Sequence, residues 1–245
     1  MRLSYDIVVV GAGHAGAEAA SAAARLGSRT LLITIDMEKI ASMSCNPAVG
    51  GVAKGQIVRE IDALGGQMAR ITDQSAIQFR MLNRSKGAAM WSPRAQCDKS
   101  EFSRLWRRTL ENTKNLYLWQ DSVTEILLDH TGEKVAVRGV KTRMGVEIEG
   151  RRVVLTAGTF LGGLMHCGTN SAEGGRAGDE ASHGITEQLV SLGFESGRMK
   201  TGTPARLDAR TINFDALEVQ EGDIEPSKFS YDADTQVVKH QLPCF

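Results

Sequence analysis

The chain has 245 residues, 42% hydrophobic and 24% charged, the balance of a globular rather than a disordered protein. Its 29 Lys and Arg match its 29 Asp and Glu, so the net charge is zero, and a nucleic-acid partner has to be held by a local basic patch rather than by the overall field. Apolar runs of only a few residues exclude a membrane-spanning helix, and a strand pattern that begins at once leaves no room for a signal peptide, so the expectation is a cytoplasmic protein with no membrane contact.

Ile7 to Val10 is a short, fully apolar run that predicts a buried parallel strand. Gly11-Ala12-Gly13-His14-Ala15-Gly16 follows, then an alanine-rich helix that Gly27 ends, then "RTLLIT" as a second strand. Strand, glycine turn, helix and strand within about thirty residues make a right-handed βαβ unit. Ile57, Val58, Ile61, Leu64 and Met68 recur at helical spacing, with Gly65-Gly66 breaking or kinking that segment. Residues 102–113 predict a helix with Phe102, Leu105, Trp106, Thr109 and Leu110 on one face and Ser100 as its N-cap. "NLYLW" reads as a strand, and "VTEILLD", "KVAVRGVKT" and "GVEIE" as a small antiparallel meander. That meander feeds a further strand, "RRVVLTAGTFLGG", and "ASHGITEQLVSLGF" predicts a helix. Beyond about Lys200 no strong period survives.

The glycine fingerprint lies where it must to bind a dinucleotide, between a strand and a helix. Gly11 allows the tight turn, Gly13 the approach of backbone to a pyrophosphate, and Gly16 close packing of helix on strand. The end of the second strand, where an acid usually meets the ribose, holds Thr34, with Asp36 and Glu38 shortly after. Any of the three can meet that ribose. The meander followed by a return strand ending in Thr156-Ala157-Gly158 resembles FAD-binding flavoproteins of the glutathione-reductase type, so FAD is expected rather than NAD.

Cys45, Cys97, Cys167 and Cys244 form no CxxC and no zinc spacing, so reduced thiols and no metal are expected. Cys45 lies in "SMSCNPAVGG". Disulfide-reductase flavoproteins pair such a cysteine with another five residues on, where this chain has Gly50, so a dithiol mechanism is unsupported. What remains is a single thiol in a loop shaped by Pro47, Gly50 and Gly51, either reactive or inertly packed. Arg80, Arg84, Lys86 and Arg94 with nearby Trp91 read either as a surface for RNA phosphates and a stacked base or as a solvated charged face. His166 and His183 read as loop histidines.

"SMSCNPAVGGVAKGQIVREIDALGG", "IQFRMLNRSKG", "PRAQCDK", "VVLTAGTFLGG", "GGRAGDEAS" and "KTGTPARLDARTI" together resemble the MnmG/GidA family, the large FAD-dependent subunit of the bacterial tRNA wobble-uridine carboxymethylaminomethyl-modification enzyme. The chain is similar to the N-terminal portion of that family, whose members are much longer. It departs from the family pattern at Ala88, where proline often follows "SKG", and at Cys97, where alanine often follows "RAQ". The resemblance implies an α/β fold: a Rossmann-type FAD-binding domain of glutathione-reductase type over residues 1–200, with an antiparallel meander insertion, and the start of a second, inserted domain over 201–245. The C-terminal return of the first domain would lie outside this chain.

The resemblance also implies FAD contacts at Gly11, Ala12, Gly13, His14, Ala15, Gly16, Val123 and Ser182, with Thr34 the candidate at the ribose end. Cys45 is the implied catalytic thiol, and a second family cysteine lies beyond residue 245. The implied partners are tRNA, a GTPase and, in full-length form, a second copy of the chain; NADH and methylenetetrahydrofolate are the implied co-substrates. A folate- and FAD-dependent tRNA uridine methyltransferase and a non-catalytic nucleotide-binding fragment are the rival readings.

Overall fold

A computed structural model describes residues 3–245. In chain order its elements are β1 (Ser4–Val10), α1 (His14–Arg25), β2 (Thr30–Thr34), β3 (Ala48–Gly50), α2 (Lys54–Ala63), α3 (Met68–Ser75), β4 (Ala76–Leu82), β5 (Ser92–Cys97), α4 (Lys99–Glu111), β6 (Leu116–Gln120), β7 (Val123–Asp129), β8 (Ala136–Thr142), β9 (Glu147–Leu155), β10 (Leu164–Cys167), β11 (Asn170–Glu173) and α5 (Ile185–Ser191). They divide into two compact units. One runs to Ala41 and resumes over Trp106–Met199; the other joins Ser42–Leu105 to Lys200–Phe245.

The first unit is a mixed six-stranded sheet in the order β6-β2-β1-β9-β8-β7. β6, β2, β1 and β9 run parallel, with Val8 opposite both Leu31 and Val153. A parallel strand flanked on both sides must be apolar on both faces, and Val8, Val9 and Val10 are all buried. Tyr5, Val8, Val10, Leu31, Ile33, Val123, Ile126, Val140, Ile148 and Ile185 form one core cluster. Ala17, Ala20 and Ala24 of α1 are buried as well, since only small side chains let a helix lie this close to a sheet.

Two details of this unit differ from the sequence reading. The last stretch of the meander and the strand after it are one nine-residue strand, β9, which pairs with β8 antiparallel at its start and with β1 in parallel along its length. The hairpin β10–β11 also escaped prediction, because its residues are largely exposed and carry no alternation.

The second unit contains a three-stranded antiparallel sheet, β3-β5-β4, which the sequence reading did not foresee. Residues 200–245, nearly without regular structure, complete it. Leu242 N donates to Ile77 O at 2.8 Å, Asp223 N to Phe79 O at 2.9 Å, and the Gln78 amide to the carbonyls of Gln220 and Leu242 at 2.9 Å each. The Gln241 side chain accepts from Phe79 N at 2.7 Å and the Asp223 carboxylate from Met81 N at 2.8 Å. The outer edge of β4 is thereby covered. Phe229 is buried edge-on against Phe79, with ring centroids 5.9 Å apart. The Asp73 carboxylate accepts from the backbone N–H groups of Phe229 and Ser230; burial raises its pKa and these bonds oppose the rise. This return explains why Ser42–Leu105 groups with Lys200–Phe245, a division different from the expected 1–200 and 201–245.

The helical segment from Ile57 does break at Gly65-Gly66, into α2 and α3, and Gly65 has φ +87°. Its apolar face is not continuous, because Ile57 and Leu64 are 53% and 90% exposed. In α4, Phe102, Trp106 and Leu110 are fully buried at i, i+4 and i+8, as expected of a one-sided helix. Its cap is Asp98 rather than Ser100: the Asp98 carboxylate accepts from Ser100 N and Glu101 N at 2.9 and 2.8 Å, while Ser100 lies inside the helix.

Candidate functional site

β1 delivers the chain to Gly11 at its carboxyl end, and the turn that follows is set by backbone contacts only glycine permits. Gly11 has φ +99°, and a side chain there would meet Thr156 O at 2.6 Å. At Gly16 an added Cβ would lie 1.7 Å from Gly11 O and 2.6 Å from Thr156 Oγ1. Helix α1 therefore starts in direct contact with the turn and with the end of β9. Thr156 seals the junction: its N donates to Val10 O, and its hydroxyl lies 2.9 Å from the carbonyls of both Val10 and Gly11.

Gly13 serves differently, for nothing lies within 4 Å of where its Cβ would stand, and it and Ala15 are exposed. As N-cap of α1, Gly13 offers no side-chain acceptor, and the first turn contains no acid. Peptide N–H groups at such a terminus carry a partial positive charge and bind anions. The arrangement fits a dinucleotide pyrophosphate. Ala12 is buried and its carbonyl accepts from Ala41 N at 2.8 Å. His14 Nε2 donates to Ala41 O at 3.0 Å; burial, reinforced by the charge of Arg176 and opposed by this bond, lowers its pKa.

The three residues weighed at the end of β2 each have a local partner. Thr34 Oγ1 donates to Asp36 O at 3.3 Å, the Asp36 carboxylate accepts from Glu38 N at 2.8 Å, and Glu38 pairs with Arg107. Asp121 N donates to Thr34 O at 2.9 Å, so the segment entering Val123 begins beside the end of β2. Val123 and Ser182 are brought together, with Ser182 Oγ 3.5 Å from Val123 O. Ser182 also exchanges backbone bonds with Phe160 and Gly162, tying the turn after β9 to β7. The segment leading to Ser182 adds a group that sequence reading missed: the Asp179 carboxylate binds both Lys39 and Arg176, and Arg176 lies over the Phe160 ring. Its signal was the "GGRAGDEAS" motif.

In the second unit, Cys45 is half-buried in the loop before β3. Its Sγ lies 3.3 Å from Thr203 Oγ1, and Arg206 donates to Ser44 O at 2.9 Å. Cys97 N donates to Pro47 O at 2.6 Å, fixing the other end of the loop. The "CNPA" and "KTGTPAR" motifs thus meet, and Thr203 and Arg206, missed as site residues, were legible only as part of the second motif. The remaining thiols differ. Burial pushes the Cys97 thiol up to about 12, Cys244 Sγ lies 3.4 Å from Gln78 Oε1, and Cys167 is exposed on β10. All four are free, and no group of His, Cys, Asp or Glu able to hold a metal exists among the described residues. No helix among them is long and apolar enough to cross a membrane.

A model of the family described as Glucose inhibited division protein A matches residues 6–245. The tRNA uridine 5-carboxymethylaminomethyl modification enzyme MnmG of Porphyromonas gingivalis is 60% identical over 245 residues, and that of Parabacteroides distasonis 59%; the match takes in the whole of this chain and 39% of each relative. Aquifex aeolicus GidA superposes with a TM-score of 0.92 at 46% identity, over 98% of this chain and 40% of that one. The chain therefore spans 39% of the length of the curated relatives named here.

Proposed function

Because this chain belongs to the Glucose inhibited division protein A family, we propose that it serves in the carboxymethylaminomethyl modification of tRNA at C5 of the wobble uridine. One observation carries its part in that reaction: the glycine turn after β1 delivers an acid-free, uncapped helix N-terminus at the carboxyl end of a parallel sheet. In this reading Gly11, Ala12, Gly13, His14, Ala15 and Gly16 form the cradle for the FAD pyrophosphate, and Thr34, Val123 and Ser182 meet the rest of the cofactor. Bound FAD supplies hydride transfer, with NADH as its reductant. Methylenetetrahydrofolate is the one-carbon source, and a partner GTPase and a second copy of the full-length chain complete a cytoplasmic assembly.

C5 of a uracil is a poor nucleophile until something adds to C6. A thiolate suits that task, being both a strong nucleophile and a good leaving group. Cys45 adds through Sγ to C6, and the C5 enolate so formed attacks the methylene carbon of methylenetetrahydrofolate, breaking one of its two C–N bonds so that this nitrogen keeps the electron pair and takes up a proton. Loss of the C5 proton then expels the thiolate and restores the ring, and an incoming amine displaces the second folate nitrogen from the methylene carbon. The Thr203 hydroxyl, 3.3 Å from Sγ, can donate to the thiolate as it forms and leaves.

The test is a titration of the stripped chain with FAD and separately with NAD, read by flavin absorbance and tryptophan fluorescence. Saturable FAD binding with little response to NAD is expected. Response to NAD alone overturns the flavin reading, as does binding of neither nucleotide by both this chain and the full-length protein. In the full-length enzyme Cys45→Ser is expected to abolish uridine modification while FAD affinity stays unchanged.

A further inference from the structure

Between Asp73 and Asp98 the sequence has no acidic residue, yet it carries Arg80, Arg84, Lys86 and Arg94, in a chain of zero net charge. These residues lie on the β4–β5 hairpin and its connection, all within the second unit. Arg80 and Arg94 are direct register partners across the two strands. Like charges facing each other in this way destabilise a sheet, and no carboxylate relieves them. Arg80 donates to the neutral Gln220 Oε1 at 3.1 Å, and neither Arg94 nor Lys86 has an ion pair or side-chain hydrogen bond among the described residues. Arg84 alone is neutralised, by Asp223 at 2.7 Å.

The connection is a built platform. Asn83 and Gly87 take left-handed φ values of +60° and +89°, and Trp91 Nε1 donates back to Arg84 O at 3.2 Å. From α2, the Gln56 amide donates to Trp91 O and Ser92 Oγ at 3.1 Å each. The indole is thus fixed by its polar edge while 45% of Trp91 stays exposed beside Met90, 48% exposed. The Arg80–Arg94 pair is two register steps from the end of the hairpin, about 7 Å along the strands.

Unrelieved cations next to a fixed, open aromatic ring match one kind of ligand. Phosphates neutralise the cations and an unstacked base covers the ring, which is how single-stranded RNA is held. An acidic protein surface would meet the charges but leave the indole uncovered, and a duplex keeps its base faces stacked. We propose that the β4–β5 hairpin docks the unpaired loop of an RNA, with Arg80, Lys86 and Arg94 pairing with phosphates and Trp91 stacking on a base. The identity of that RNA as tRNA rests on the function proposed above.

The experiment is fluorescence anisotropy of the full chain with a labelled anticodon stem-loop bearing an unmodified wobble uridine. A fully paired RNA of equal length serves as comparison, and both are titrated at several NaCl concentrations. Lys86→Gln with Arg94→Gln is expected to weaken binding and to reduce the salt slope by about 0.7 for each phosphate that goes unpaired. Trp91→Ala is expected to weaken stem-loop binding roughly 5- to 100-fold, with Trp91→Phe retaining most of it and duplex binding unmoved. Arg94→Gln should keep or raise the melting temperature, since it ends the cross-strand repulsion, which separates a binding defect from a folding defect. Arg151→Gln, exposed in the first unit, should change nothing. Unchanged affinity and slope in the Lys86/Arg94 variant, or an indifferent Trp91→Ala, overturns the docking surface alone. A wild-type chain that binds neither RNA overturns the tRNA reading and the surface with it.

Discussion

In the first unit, β1, α1 and β2 follow one another within Ser4–Thr34 and bury Val8, Val9, Ala17, Ala20 and Leu32 completely. In the second, β4 is finished by residues far along the chain, as when Gln78 bonds to Gln220 and Leu242, 142 and 164 positions on. The first unit starts from one local device, an apolar strand, a small-faced helix and a second apolar strand, to whose sheet β9 is added from far along the chain. The second is completed by closing a long loop, whose entropy opposes every contact between the return segment and β4. Its specificity resides in single side chains aimed at backbone groups, and these leave no periodic trace in the sequence.

The largest effect is expected from Phe229→Ala. If the return segment is held as described, removing this buried ring costs about 3–5 kcal/mol, and limited proteolysis should then cut first between residues 200 and 228. Equal resistance to protease in variant and wild type would erase the contrast between the units. Next is Gly16→Val, whose Cβ would fall 1.7 Å from Gly11 O; a loss of about 3 kcal/mol in denaturant unfolding is expected, together with loss of nucleotide binding. A variant as stable as wild type would mean that the turn is not packed as tightly as its backbone indicates.

The smallest effect belongs to His14. Its pKa is lowered in the fold, so the unfolded chain takes up the proton first, and stability falls as the pH drops below about 6.5. His14→Gln should cost about 1 kcal/mol at pH 8, through the bond to Ala41, and should flatten the stability profile between pH 7 and 5. An unaltered profile would show that another group dominates that range.

What could be read from the sequence follows the same divide. The glycines, α1 and the two strands around them were legible because each choice there is local: a positive φ at Gly11, a close approach at Gly16, alanines against a sheet. The cap of α4 was misread by two residues, since Asp98 and Ser100 both suit the position and only the direction of the carboxylate separates them. β9 read as two pieces because Gly150 and the arginines after it interrupt its apolar pattern, while Val8 packs where a side chain at Gly150 would stand. β3, β4 and β5 were invisible: "AIQFRML" buries Gln78 next to Phe79, and that glutamine is satisfied only by the distant return. Around Cys45, the loop and its thiol could be singled out, but not Thr203 and Arg206, which lie 158 and 162 positions from their partners.

The covered edge of β4 bears on how pieces of this protein can be handled. Any shortened form that ends before residue 220 would strip away the Asp223, Gln241 and Leu242 bonds and leave Ile77, Phe79 and Met81 with free backbone groups in a row. A bare strand edge of that length invites pairing with its own copy in another molecule. Trimmed versions should therefore collect in inclusion bodies during expression, and co-expressing a peptide that spans residues 217–245 should return them to the soluble fraction.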